Sequence, residues 1–324
     1  MKKVIFCTAI ILLFCINTNA KIWRVNNNPG VTADFTTAQA ANDAPAVMNG
    51  DTIHLEPSLT YYGGLSTNKR LVWISTGDFL TENTGNQFSN TPGKLNFHIY
   101  INPGSEGSVF SIIVDPGSGV IYIGAPSITL LRCKVNQIDI NAPNAVVSQC
   151  FFYIGSIQLG LAATNVLISN NNIYNPVYAA YETSSAVITN NIFRSFNVNR
   201  LIYNAVIQNN ICIGSGTWTF YNSTVSYNMS SSSNLPTGNF NQVNIPMTDV
   251  FVNWNGTDDN DFILKPGSPA IGAGFGGTDM GVFGGNTPYK LALQPAVPAI
   301  TELSVPASNN GNTIQVTFSA KSNN

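Results

Sequence analysis

One short phrase recurs six times between residues 128 and 229, and its spacing restricts the fold more than any other feature of the chain. The copies are LLRCKV at 130–135, VSQCFF at 147–152, ISNNNIY at 168–174, ITNNIF at 188–193, IQNNIC at 207–212 and VSYNM at 225–229. Aligned on the second residue of the central pair they give the column Cys133, Cys150, Asn171, Asn191, Asn210, Asn228, with steps of 17, 21, 20, 19 and 18 residues. Each copy is too short and too rich in β-branched residues for a helix. A leucine-rich repeat has a similar period, but its Leu-x-x-Leu-x-Leu phrase and its return leg are missing. About 20 residues without a helix suffice for one turn of a parallel β-solenoid, whose strands stack about 4.8 Å apart.

The two residues of the central pair differ in character. The first column reads Arg132, Gln149, Asn170, Asn190, Asn209, Tyr227, a mixture that a buried position would not tolerate, so it is expected to face outward. The second holds only Cys and Asn and is placed inside. A bend that admits a left-handed residue lets an Asn side chain turn inward, where stacked amides hydrogen-bond from coil to coil. Cys133 and Cys150 then act as small buried replacements for the amide, as adjacent thiols rather than a bridge. The competing reading of the Asn column is a sugar-binding stripe; a column repeated at every coil describes architecture better than a local site.

Residues 1–20 have the form of a secretion signal, with Lys2 and Lys3, an apolar run from Val4 to Ile16 and a cleavage site near Ala20. No other stretch is apolar enough to span a bilayer, so the mature chain is expected to be exported without a transmembrane anchor. The whole chain has a net charge of −2, and loss of two lysines with the signal leaves −4. That balance, with only 9% charged residues, lacks the basic track that nucleic acid requires. Three cysteines remain after export, an odd number that makes no disulfide framework.

Along the mature chain, Ile22–Val25 reads as an opening strand. Thr36 with Gln39 reads as a capping box for a short helix over 37–44 that closes the first coil. Strands follow at 52–55, 71–74, 97–101, 110–114 and 120–123, with a polar loop at 77–93. Phe251–Asn253 and Asp261–Leu264 read as a last distorted coil, and the glycine-rich run 265–285 as turns folding over the C-terminal end of the stack. The domain reading is 1–20 signal, 21–290 solenoid with its cap, and 291–324 a C-terminal β-rich tail with one alternating strand at 314–318.

The Thr36 helix followed by Gly50-Asp51-Thr52-Ile53, the Asn-Asn coils from Asn170 to Asn210, and the closing phrases Ser268-Pro269-Ala270-Ile271 and Gly281-Val282-Phe283-Gly284 resemble a known family. They are similar to the secreted parallel β-helix proteins of the pectate-lyase-like superfamily, and more narrowly to members from Bacteroidetes-type bacteria. The resemblance covers about residues 22–290. It implies an all-β, right-handed, single-stranded parallel β-helix with a short N-terminal capping helix. For function it implies several classes: lyases with a Ca2+-holding groove along one sheet and an Arg or Lys base, hydrolases with paired carboxylates, and non-catalytic adhesins.

Neither catalytic pattern can be matched residue by residue, so catalytic residues are left unassigned and whether the chain is an enzyme stays open. Ca2+ enters only with the lyase alternative, where Asp115 and Asp139 could fall on nearby coils. The candidate carbohydrate-binding group is Glu182, Arg194 and Arg200 with Tyr178 and Tyr181, weighed against edge charges kept for solubility and aromatics kept for packing. The functional expectation is an exported, non-catalytic solenoid with a surface for a polysaccharide or cell-surface glycan. The alternative is a polysaccharide lyase or glycoside hydrolase acting on an acidic glycan in a groove along one sheet.

Overall fold

Each copy of the repeated phrase ends one strand, turns a two-residue corner and begins the next strand, as in Ala186–Thr189, the corner Asn190–Asn191, and Ile192–Phe193. The computed structural model describes residues 20–114, 119–196, 199–306 and 313–323. The signal reading over residues 1–19 and the candidate Asp115 lie outside them. Successive coils stack as three parallel sheets, giving a β-solenoid of about nine turns. The ten-stranded sheet runs from Ile22–Val25 to Thr224–Ser226, and the eight-stranded sheet from Lys94–Leu95 to Met229–Ser230. The five-stranded sheet runs from Leu65–Thr67 to Ile157–Leu159. Parallel bridges Gln158↔Tyr178 and Ala179↔Ile202 continue this last face into the pair Arg200–Tyr203 and Trp218–Tyr221.

Strand alternation fills the interior. Ile53, Trp73, Phe110, Leu130, Val147, Ile168, Ile188, Ile207 and Val225 stand in register on the ten-stranded sheet and are all buried. Each contributes on the order of 2 kcal/mol by leaving water. The lumen at the N-terminal end is closed by the helix Ala38–Asp43, whose Ala38 and Ala41 join the same core as Val25 and Ile53. Its cap is Thr37 rather than Thr36: the Thr37 hydroxyl accepts from Ala40 N–H at 3.1 Å. Gln39 does not close a capping box, because its amide pairs with Ser66, giving to the carbonyl at 3.1 Å and taking the N–H at 2.8 Å.

The second column of the corner is fully buried, at 0% exposure for Cys133, Cys150, Asn171, Asn191, Asn210 and Asn228. Cys133 and Cys150 are free thiols. Each Asn reaches back to the preceding coil. Asn191 Oδ1 accepts from the Asn171 N–H at 2.9 Å and the Asn171 amide at 3.0 Å, while its own Nδ2 donates to the Ile168 carbonyl at 2.9 Å. Asn210 and Asn228 repeat the pattern, and Asn241 adds a rung beyond the repeat by accepting from Asn228 N–H at 3.0 Å. At the other end Cys150 N–H donates to Asn171 Oδ1 at 2.8 Å, and Cys133 N–H to the Cys150 sulfur at 3.4 Å. A second row at another corner uses Asn144, Asn165 and Asn222, which are exposed, and Asn204, which is half-buried, with Asn165 Nδ2 giving to Asn144 Oδ1 at 2.8 Å.

The first column overturns its expectation. Arg132, Gln149, Asn170, Asn190 and Asn209 are at most 7% exposed, and with Tyr227 they are the left-handed residues of the corner, φ 56° to 58°. The C-terminal segment covers them. Instead of folding over the end of the stack, it runs back along the side towards the N-terminal coils. Phe275 N–H meets Asn209 Oδ1 at 2.8 Å, Asn190 Nδ2 meets Asp279 O at 3.1 Å, and Asn170 Nδ2 meets Val282 O and Gly284 O at 3.0 and 2.8 Å. Gln149 then gives to Thr287 O at 3.3 Å, and Arg132 Nη1 to Gln294 O at 3.0 Å. Gly284 serves close approach rather than only a turn: a Cβ there would lie 1.9 Å from Asp279 O and 2.8 Å from Asn190 Nδ2.

This strap also makes a second core. Ile113, Phe151, Ile192, Ile211 and Met229, the outward side of the eight-stranded sheet, pack against Met247, Val250, Phe262, Met280, Val282 and Leu293. The expected last coil at 251–264 is instead an antiparallel connection, with the bridge Phe251↔Leu264 and Val252 N–H on Ile263 O at 2.9 Å. The tail is an antiparallel hairpin, Ala299–Ser304 with Thr317–Lys321, touching the 77–93 loop through Phe88 N–H on Ile300 O at 2.8 Å.

Two outcomes test this framework. Asn191→Ala strands the Asn171 N–H and the Ile168 carbonyl in the core, so denaturant unfolding is expected to show a loss of about 3–5 kcal/mol. The strap end is held by Asp259, which accepts from Asn83 Nδ2 at 3.0 Å and from Ala292 N–H at 2.5 Å. Burial raises its carboxyl to about 6, with Asp258 and Glu82 adding and the two hydrogen bonds opposing. A carboxyl raised above its unfolded value stabilises the fold fully below about pH 4 and loses that contribution as pH climbs through about 6. Stability is therefore expected to fall by up to about 3 kcal/mol from this group across that window, and Asp259→Asn to flatten the profile.

Candidate functional site

With the eight-stranded sheet covered on both sides, two sheet faces remain open. The outward column of the ten-stranded sheet, Val72, Val109, Thr129, Val146, Leu167, Val187, Val206 and Thr224, carries no charge and few polar atoms. The five-stranded face is different. Its inward residues recur as Ile-x-Ile or a close variant, and the central residues put Ser66, Tyr100, Tyr122, Asp139, Gln158 and Tyr178 into one outward column. Neighbours in that column are separated by about 4.8 Å.

The Tyr100 and Tyr122 rings stack at 5.1 Å and 8°, so their planes lie across the stacking axis. The His98 ring packs 5.9 and 5.5 Å from them, with its Nδ1 accepting from Val120 N–H at 3.1 Å. Beyond Tyr122 the column drops to the smaller Asp139 and Gln158 and rises again at Tyr178. The result is a groove of about 290 Å³ with tyrosines at both ends, flanked by Asn102, Asn141 and Tyr181. Gln137 Nε2 donates to Asp139 Oδ1 at 2.7 Å, fixing the carboxylate and leaving its other oxygen for a ligand. Aromatic bodies with polar tips, a carboxylate and amides supply apolar contact together with acceptors and donors for hydroxyl groups.

Of the sequence-derived group, Tyr178 and Tyr181 line this groove, and the Arg200 guanidinium lies 5.4 Å from the Tyr178 ring. Glu182 is exposed further along; its backbone carbonyl takes Asn204 Nδ2 at 2.6 Å, and its charge helps raise the Tyr203 phenol, after burial and Tyr221. Arg194 is elsewhere. It follows Ile192–Phe193 of the eight-stranded sheet, where its guanidinium sits 4.5 Å from the Phe151 ring and 5.5 Å from the Tyr174 ring and donates to the Phe152 carbonyl. Arg132 is an anchor for the C-terminal segment, also giving to Gln149 Oε1 at 2.7 Å and Asn323 O at 2.6 Å. Lys134 pairs with Asp78 at 3.1 Å over the Phe79 ring and ties down the 77–93 loop.

The sequence reading missed Tyr100, Tyr122 and Gln158. Their signal was the centre of the Ile-x-Ile phrases at 99–101, 121–123 and 138–140 and of the variant Ile-Gln-Leu at 157–159, which is as periodic as the Asn pair but varies in its informative residue. Among the described residues, no group of three or more His, Cys, Asp or Glu side chains is arranged to hold a metal, and no helix is long and apolar enough to cross a membrane. Compared with protein-family models, with curated proteins and with solved structures, the chain matches none.

Proposed function

We propose that this chain is an exported carbohydrate-binding solenoid, related to the pectate-lyase-like β-helix proteins, that holds a glycan along its five-stranded face. The observation that carries the reading is the in-register column Tyr100, Tyr122, Asp139, Gln158, Tyr178, with its groove between two tyrosines. Such a column tracks a linear polymer laid along the stacking axis, with tyrosine bodies against sugar rings and Asp139 and Gln158 bonded to hydroxyls.

Binding is favoured over hydrolysis because, among the described residues, Asp139 is the one carboxylate lining the groove, whereas glycoside hydrolysis uses two facing the same bond. A lyase-type base is poorly placed too. The strand that bears Arg200 lies three steps, roughly 14 Å, along the stack from that of Asp139, and its guanidinium packs against Tyr178 at the far end of the groove. Export rests on the form of residues 1–20.

A glycan array of acidic and neutral polysaccharides tests the proposal. Saturable binding is expected, weakened tenfold or more by Tyr122→Ala or Tyr178→Ala. Binding indifferent to both variants would remove the groove from consideration. Ultraviolet detection of unsaturated products on acidic polysaccharides, with and without calcium, is expected to show no turnover, and turnover lost in Asp139→Asn or Arg200→Ala would establish the enzymatic alternative.

A further inference from the structure

At the N-terminal end of the stack several segments converge on one carboxylate. Asp51 is 5% exposed and directly precedes the strand Thr52–Leu55. Its Oδ1 accepts from the backbone N–H of Lys21 at 2.8 Å, and its Oδ2 from the Trp23 indole at 2.8 Å and from Met48 N–H at 2.9 Å. Lys21 and Trp23 belong to the start of the opening strand, and Met48 to the chain that leaves the capping helix. The Asp51 carbonyl takes Val72 N–H at 3.0 Å, which carries the junction into the next coil.

Among the described residues Asp51 forms no ion pair. The Lys21 side-chain ammonium sits 3.2 Å from the centre of the Trp23 ring and has the smallest effect of the groups that act on the carboxylate. Lys69 is turned away, its Nζ donating to the Ala44 and Val47 carbonyls at 2.9 and 3.0 Å. Burial pushes the Asp51 carboxyl up, but the hydrogen bonds from Lys21, Met48 and Trp23 bring it below its usual value, so it is ionised at neutral pH. A charge taken out of water is costly unless it is both hydrogen-bonded and paired. The group able to pair with it is already in place, because the nearest nitrogen is the backbone nitrogen of the residue that follows Ala20.

The small residues Thr18 and Ala20 stand where a leader-cleaving enzyme reads them, and the register singles out one bond. Thr52 N–H on the Lys21 carbonyl at 2.8 Å, with Ile22 paired to Thr52, fixes Lys21 in the sheet. Its nitrogen is held against Asp51 whether it is an amide or an amine. A cut one residue earlier would carry the new amine about 3.8 Å further along the chain, and a cut one residue later would remove the donor. Ala20 and Lys21 are exposed and line a cleft of about 1050 Å³, so what precedes Lys21 is not built into the coil.

We infer that the Ala20–Lys21 peptide bond is the processing site of the exported chain, and that the α-ammonium it frees on Lys21 forms an ion pair with Asp51 that locks the first coil. The inference rests on the export reading and is independent of the glycan groove. Cleavage by a signal endopeptidase consumes one water. The C–N bond breaks, the water oxygen stays on the Ala20 carbonyl carbon as a carboxylate, and both water protons go to the Lys21 nitrogen. A free α-amine titrates near 8, so the product is charged at neutral pH. A neutral donor 2.8 Å from a buried carboxylate thereby becomes a cation at the same point. The terminal coil of a solenoid has a neighbour on one side only and opens first, so the lock acts where the stack is weakest.

Two chains released from a fusion by a protease that leaves no residue of its own test the pair, one beginning at Lys21 and one keeping Ala20, each also made with Asp51→Asn. The thermal midpoint of the Lys21 chain at neutral pH is expected to lie about 3 °C or more above that of the Ala20 chain, and the gap to close in Asp51→Asn. Equal midpoints with Asp51 present, or a gap that survives Asp51→Asn, overturn the pairing. Selective acetylation of the Lys21 α-amine keeps the test open if Asp51→Asn does not fold: it restores an amide with the carboxylate intact and should lower the midpoint to that of the Ala20 chain, whereas an unchanged midpoint overturns the pairing. N-terminal sequencing of the product exported by a bacterial host carrying the full-length chain is expected to read Lys-Ile-Trp-Arg. Export with a different N-terminus overturns the processing site and leaves the export reading standing, whereas retention of the uncleaved chain in the cytoplasm overturns both.

Discussion

The structure depends on how one corner of each coil satisfies its backbone. The left-handed turn at Arg132, Gln149, Asn170, Asn190, Asn209 and Tyr227 points the next residue inward, leaving its N–H in the core. A buried N–H must find an acceptor. Asn side chains of the following coil provide one from Cys150 N–H onward, and the Cys150 sulfur serves Cys133, so each new coil completes the one before it. The same corner is closed from outside by residues 275–294, which take up the polar side chains of the left-handed residues. Buried amides on one side and a strap on the other make this repeat architectural.

That closure explains where an open site can be. The eight-stranded sheet gives its outward face to the second core, so contact with a long partner falls to the other two sheets. Among the described residues, only the five-stranded face combines tyrosines, a carboxylate and amides in one column. The carbohydrate reading thus moves away from the Asn repeat that dominates the sequence and onto a quieter repeat one sheet away.

Much of the scaffold was legible in the chain. Ile22–Val25, Thr52–Leu55 and Val120–Ile123 are strands as read, and Cys133, Cys150 and the later Asn residues face inward. What local patterns do not encode is contact between distant segments. Arg132 looks like a surface residue until Gln294, 162 positions later, covers it. For the same reason the glycines at 281–285 read as turns, although Gly284 is needed for passage past Asn190. The candidate site suffered from phase rather than distance. Arg194 and Tyr178 are close in sequence and were grouped, yet they fall on different sheets, because the bends that decide which sheet a residue joins carry no fixed motif.

Native-state hydrogen exchange tests the central claim most directly, because it reads the corner amides themselves. The account requires the N–H groups of Cys150, Asn171, Asn191 and Asn210 to be among the slowest in the molecule, well slower than those of the exposed corner residues Asn144 and Asn165. Comparable exchange at the two corners would contradict it, and would mean that the buried amide ladder is not what holds the coils together.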